Sequence, residues 1–240
     1  MRTVTYNAGA YLVEELLRAG VVSRFIEDGG DILLFETRAK QRVSIHLIES
    51  SIERYEIKSI LDGNEAQHIY TLFILWGDRL LPSDGWQIAP PDWLEVLIDL
   101  YSERVYAYDI YGSEIFVFPV LFERVGWTRE RRARYGTTVH IGQLHGRAAQ
   151  TAFGSWRVAG FGQMGNPAAY AVPDSAHPLA AARAILGVEA DDDEETIKKA
   201  YRFLARRYHP DLNRSGEATA RMQQINAAYA LIMDARSPSQ

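Results

Sequence analysis

Apolar positions recur along this chain with two different periods, and the change between them divides it. Residues 8–19 carry the helical spacing and run into Gly20, so they predict an amphipathic helix. Strand-like runs follow at 21–27, 32–37 and 42–49, with Asp28-Gly29-Gly30 as the turn between the first two. Residues 52–61 return to the helical spacing, and Asp62-Gly63-Asn64 is the expected stop. The run 69–76 is rich in apolar, β-branched and aromatic residues and reads as a buried strand, with a buried helix segment as the alternative that periodicity leaves open. After the turn Pro82-Ser83-Asp84-Gly85, a second amphipathic helix is expected from about residue 90. Its apolar face is Trp93, Leu94, Leu97, Ile98 and Tyr101. Residues 104–110 and 114–122 pair naturally across Tyr111-Gly112-Ser113 as a hairpin. Beyond Gly126 the pattern thins to short strand-like pieces at 139–141 and 156–159. The prediction for residues 1–164 is therefore a mixed helix and sheet domain, α+β in class. Residues 165–177 are Pro-rich with little apolar pattern and read as a linker.

From residue 178 to 240 the period is helical only. Residues 184–188 end a short helix at Gly187, and Asp191 followed by Glu194 has the form of a capping box opening the next. In that second helix Ile197, Ala200, Tyr201, Leu204, Ala205 and Tyr208 make one stripe. Lys198, Arg202 and Arg206 lie four apart on another face, with Lys199 and Arg207 beside them. Phe203 falls outside the stripe and is expected to be exposed. Pro210 stops the helix, since residue 209 is pushed toward extended geometry and Pro lacks an N–H. Met222, Ile225, Tyr229 and Ile232 then recur at three or four for a third, antiparallel helix.

A basic helix leading into His209-Pro210-Asp211, followed by Gln224-Ile225-Asn226-Ala227-Ala228-Tyr229, resembles the J-domain of DnaJ-type co-chaperones. The resemblance covers about residues 178–234 and implies an antiparallel helical hairpin. It implies that His209, Pro210 and Asp211 contact the ATPase unit of a DnaK-type, seventy-kilodalton heat-shock chaperone and stimulate its hydrolysis. Lys198, Lys199, Tyr201, Arg202, Phe203, Arg206 and Arg207 are the accompanying partner-binding residues. Pro210 would present the imidazole and carboxylate with little entropy left to lose. A solvated face is the ordinary meaning of such a basic run; beside His-Pro-Asp, steering onto an acidic partner is favoured. The sequence departs from the family in having Ala182 and Arg183 at two common aromatic positions of the first helix. That helix is then expected to rest on Leu179, Ile185 and Leu186. Phe203 stands where a basic residue is usual, a full fourth helix is lacking, and neither a Gly/Phe segment nor Cys-x-x-Cys repeats occur.

Composition narrows the picture further. The chain has 240 residues, 47% hydrophobic, and no cysteine, which excludes disulfides and thiolate chemistry and fits a reducing, cytoplasmic setting. No signal peptide or membrane-spanning run is read. Residues 178–240 carry nine basic and nine acidic residues, so the net charge of −5 lies in residues 1–177. A net-acidic first part argues against nucleic acid as its main partner. All five Trp and ten of thirteen Tyr precede residue 178, as suits a sheet with a sizeable core.

Other candidate chemistry is weaker. Gly160-Phe161-Gly162-Gln163-Met164-Gly165 has the dinucleotide-binding spacing, but Pro167 and Pro173 leave no helix to hold a pyrophosphate, so a glycine-rich loop and no cofactor are expected. Asp31, Glu56 and Lys58 resemble the carboxylates and lysine of metal-dependent nucleases, and the element order suits that fold. The acid-x-Lys pair belongs on the third strand there, however, and here it falls on a helix. A catalytically silent relative is the better reading. His140 and His145 lack an adjoining acid or Cys, so no metal is expected. Arg129, Arg131, Arg132 and Arg134 read as a solvated turn, with an anion-binding patch as the lesser alternative. The overall expectation is a non-enzymatic, two-domain co-chaperone whose first part binds a client or targets the chain. The alternatives are a nuclease-like enzyme with an accessory J-domain, or a J-like module without stimulating activity.

Overall fold

The computed structural model describes residues 2–111, 114–162, 178–209 and 218–236. The chain separates into two compact units, Met1–Met164 and Gly165–Gln240. The linker expected at 165–177 lies outside the described residues.

The first unit opens with helix α1 (Arg2–Arg18), then β1 (Val22–Asp28), β2 (Ile32–Thr37) and β3 (Arg42–Ile48) in an antiparallel meander. Helix α2 (Arg54–Ala66) carries the chain over to β4 (Ile69–Trp76), which lies parallel to β3. The helix does not stop at Asp62-Gly63-Asn64 as expected. Asp62 is used by Lys58 and by the Trp156 indole, and Asn64 Nδ2 donates to Thr71 Oγ1, so the polar residues have partners other than a turn. Glu53 and Glu56 form the capping box that starts it. After α3 (Gly77–Leu80), β5 (Gln87–Ile88) and α4 (Asp92–Leu100), the strands β6 (Arg104–Tyr111) and β7 (Glu114–Arg124) form the expected hairpin arms.

Three strands complete the unit: β8 (Arg131–Tyr135), β9 (Leu144–Thr151) and β10 (Gly154–Phe161). Residues 139–141 are not a strand; a 3₁₀ turn occupies Ile141–Gln143. The arginine-rich stretch is not a solvated turn. Arg131 and Ala133 point inward from β8, and the Arg131 guanidinium is paired with Glu103 and Glu95. Arg129 reaches Glu95 at 2.9 Å and Arg124 reaches Glu103 at 3.0 Å, so acids contributed by α4 and the α4–β6 turn answer these bases.

Among the described residues ten strands form one sheet: eight follow the order β1-β2-β3-β4-β6-β7-β8-β5, and β10, with β9 beside it, branches from β4. It divides at β4. The C-terminal half of that strand pairs with β6 through Ile74 to Trp76, while Thr71 pairs with β10. Backbone groups at such a fork lose their ladder partners, and two buried tyrosines supply them. Tyr101 Oη accepts the Phe73 N–H at 2.9 Å and donates to the Thr71 carbonyl; burial pushes its pKa up. Tyr106 Oη accepts the Phe161 N–H and donates to the Phe161 carbonyl, both at 3.1 Å. A Cβ at residue 160 would lie 2.7 Å from that hydroxyl, which explains Gly160. Gly162 then turns the chain at φ +69°. The first two glycines of the dinucleotide-like spacing thus serve the sheet; Gln163, Met164 and Gly165 lie outside the described residues. No helix of the described residues is long and apolar enough to cross a membrane.

Among the described residues the second unit has three helices: α5 (Pro178–Leu186), α6 (Glu194–Arg207) and α7 (Ala218–Arg236). Its core is aliphatic apart from Phe203: Ala182, Leu186, Val188, Ile197, Ala200, Leu204, Ala218, Ile225, Ala228 and Ile232 are buried.

Candidate functional site: the end of helix α6

Helix α5 ends in a Schellman motif. Gly187 adopts φ +69°, and the Val188 N–H reaches back to the Arg183 carbonyl at 3.1 Å. The α5 anchors are Ala182 and Leu186, with Val188 just after them, whereas Leu179 and Ile185 are only half-buried. The small Ala182 is thus a core residue in its own right. Helix α6 starts two residues later than the Asp191–Glu194 pattern implied. Asp193 is the N-cap, its Oδ1 accepting the Thr196 N–H at 2.8 Å, and Asp192 Oδ2 accepts the Glu189 N–H. Acids at the start of α6 and Arg206 and Arg207 in its last turn both complement the helix dipole.

The expected basic face is present. Arg202 and Arg206 are exposed, while Lys198, Lys199 and Arg207 are half-buried. Lys198 pairs with Glu194 one turn back, which raises the pKa of the lysine and lowers that of the acid. Tyr201 is half-buried; its ring stacks on Tyr229 at 4.2 Å and its hydroxyl donates to Asn226 Oδ1.

Phe203 corrects the sequence reading. It is 0% exposed, with the Arg207 guanidinium 5.8 Å from its ring centre. At about 100° per residue, Phe203, Ala200, Leu204 and Ile197 span an arc of roughly 120°. The predicted stripe is centred on Tyr201 and Tyr208, which are half-buried and lie at the margin of the buried arc. A helix that meets two others buries a broader arc than one seam requires, and α6 packs on both α5 and α7. Phe203 is therefore a core residue and not part of an exposed partner-facing surface.

Tyr208 is the C-cap of α6, its N–H bonded to the Leu204 carbonyl at 2.9 Å. His209 follows and is exposed, its N–H reaching the Arg206 carbonyl at 3.4 Å. Pro210 and Asp211 lie outside the described residues. The geometry thus presents an imidazole at the tip of a helix whose flank carries Arg202 and Arg206.

The nuclease-like residues do not assemble in this way. Asp31 and Glu56 line a cleft of about 510 Å³ with Glu49, Ser50 and Ser51. Glu56 Oε2, however, accepts the Glu53 N–H at 2.9 Å as part of the helix cap, and Lys58 bonds Asp62 at 2.6 Å. At the positions of β3 opposite β2, the strand offers Ser44 and His46, with Ser44 Oγ 2.9 Å from His46 Nε2. His145 Nδ1 lies 3.0 Å from the Gln143 carbonyl. Among the described residues no three His, Cys, Asp or Glu side chains are grouped to hold a metal.

Residues 184–239 match the family model of the DnaJ domain. Chaperone protein DnaJ 2 of Thermus thermophilus is 53% identical over 51 residues, which are 21% of this chain and 18% of that one. Chaperone protein DnaJ of a Synechococcus strain is 52% identical over 50 residues, 21% and 13% of the two chains. That of a Roseiflexus strain is 46% identical over 50 residues, 21% and 14%. The chain thus spans less than a fifth of the length of these curated relatives. No solved structure matches. The tip of α6 and the helices around it therefore lie in a DnaJ domain that forms the C-terminal quarter of the chain.

Proposed function

We propose that the protein is a co-chaperone: its DnaJ domain recruits a DnaK-type chaperone and stimulates that partner's ATPase. The supporting observation is an exposed His209 at the tip of α6, within a stretch that matches the DnaJ domain. Arg202 and Arg206 on the same helix give the approach a positive flank, which raises association rate more than final affinity. In this reading the first unit serves as the client-binding or targeting element: Glu56 is engaged in a helix cap and Lys58 in an ion pair, and among the described residues no three His, Cys, Asp or Glu side chains are grouped to hold a metal.

Single-turnover hydrolysis of ATP by DnaK, with and without the full chain, tests this reading. Stimulation is expected from the natural chain and not from His209→Gln, with both proteins melting at the same temperature. His209 is exposed, so its replacement opens no cavity. A natural chain that leaves hydrolysis unchanged would remove the assignment.

A further inference from the structure

We propose that Arg221 is a positioning residue for His209, acting through Tyr208. This rests on the co-chaperone reading and deepens it. Arg221 lies in the first turn of α7, at the far end of the segment that begins with His209. Its guanidinium stands 6.0 Å from the centre of the Tyr208 ring, within the range of a cation–π contact. Its Nη1 also donates to Gln224 Oε1 at 3.1 Å, which fixes where the cation sits. Tyr208 in turn is the C-cap of α6 and the residue covalently next to His209.

The contact therefore ties the residue before His209 to the helix that receives the chain afterwards. A ring held by the cation cannot swing out, so the direction in which the backbone leaves α6 is set. Less conformational freedom then has to be lost when a partner takes up the imidazole. Other contacts also hold α7 in place. Tyr201 of α6 stacks on Tyr229 in mid-helix, and Arg236 Nη1 donates at 2.7 Å to the carbonyl of Asp192, in the turn that precedes α6. Removing Arg221 leaves both in place, so the helices are expected to stay folded.

The test uses the full chain with purified DnaK, titrating stimulated hydrolysis against chain concentration. Arg221→Ala is expected to raise the half-saturating concentration about two- to fivefold, the size of one exposed cation–π contact. Maximal stimulation and melting temperature should be kept. Arg221→Lys keeps a cation over the ring and should return within about twofold of the natural chain. A partner-free readout accompanies it: the NMR order parameter of the His209 amide should fall in Arg221→Ala and recover in Arg221→Lys. An unchanged half-saturating concentration overturns the proposal, as does a loss that tracks a lowered melting temperature without rescue by lysine. If the natural chain does not stimulate DnaK, the co-chaperone reading fails on its own. Unchanged order at His209 would then overturn the positioning role separately.

Discussion

The two units of this protein are built on different principles. The first buries Tyr101, Tyr106, Tyr108, Phe35, Phe73, Phe116, Phe118 and Phe122 completely, in a sheet whose fork is closed by tyrosine hydroxyls. The second holds three helices together around small aliphatic side chains and, among the described residues, a single fully buried aromatic, Phe203. A core of the first kind spreads its stability over many large contacts. A core of the second kind concentrates it, because a unit of this size buries a smaller share of its surface.

The largest expected effect follows from that concentration. Phe203→Ala should cost about 3–5 kcal/mol, comparable with the whole stability of a small helical unit. Circular dichroism should report loss of helix, and stimulation of DnaK should disappear, while the near-ultraviolet signal of the first unit persists. Phe118→Ala removes a ring that lies 5.4 Å from Tyr135 and has a similar local cost, but it should leave the first unit folded at 25 °C. Equal tolerance of the two changes would break the comparison.

Acid should act on the first unit through His46. Burial holds this imidazole, which lies against Phe73, at a pKa of about 4, against an ordinary value of 6.5. Between those values the unfolded chain binds a proton that the folded chain does not. Stability is therefore complete above pH 6.5 and declines as the pH falls toward 4, by up to about 3 kcal/mol. Urea midpoints measured across this window should slope in the natural chain and be flat in His46→Gln. A slope that survives the substitution would assign the effect to other groups.

A smaller effect is expected at the start of α6. Asp193→Ala removes the N-cap and should lower the stability of the second unit by about 1 kcal/mol, leaving the first unchanged. The smallest concerns Lys198, which is exposed enough for its pair with Glu194 to be solvated. Lys198→Ala should leave the melting temperature unaltered and slow only association with DnaK, as stopped-flow binding would register.

How legible each unit was in the sequence follows the same division. In the second, contacts are local, so the 3.6-residue period, Gly187 and His209-Pro210-Asp211 were enough to find the helices and their exposed tip. What was missed there depends on a third body: the burial of Phe203 cannot be read from a stripe that assumes one neighbouring helix. In the first unit, β1 to β4 and the β6–β7 arms declared themselves by alternation or by continuous apolar runs. Strand β9 did not. Its Gly146, Ala148 and Ala149 have little strand preference, and it forms because β10 pairs with it residue by residue from Leu144 to Thr151. Arg131 misled for a related reason. Four arginines around one turn look solvated until α4 and the α4–β6 turn bring Glu95 and Glu103 against Arg129 and Arg131. The cap on α2 was equally hidden: Glu56 drew notice only for its nuclease-like spacing to Lys58, and its bond to the Glu53 amide shows the role it has.

The arrangement of charge along α6 has one more consequence. Acids crowd its first turn and arginines its last, so the helix is an extended electric dipole fixed in a small, otherwise balanced body. In the field of a charged partner such an object would experience torque before any atoms touch, and it would arrive already turned with His209 forward. The torque acts only within a Debye length, about 8 Å at physiological ionic strength. At the corner of the sheet, where Arg124, Arg129 and Arg131 are matched by Glu95 and Glu103, field lines close within the surface and no such lever exists. Added salt should therefore weaken the orienting effect of α6 more than it weakens the matched pairs at this corner of the sheet.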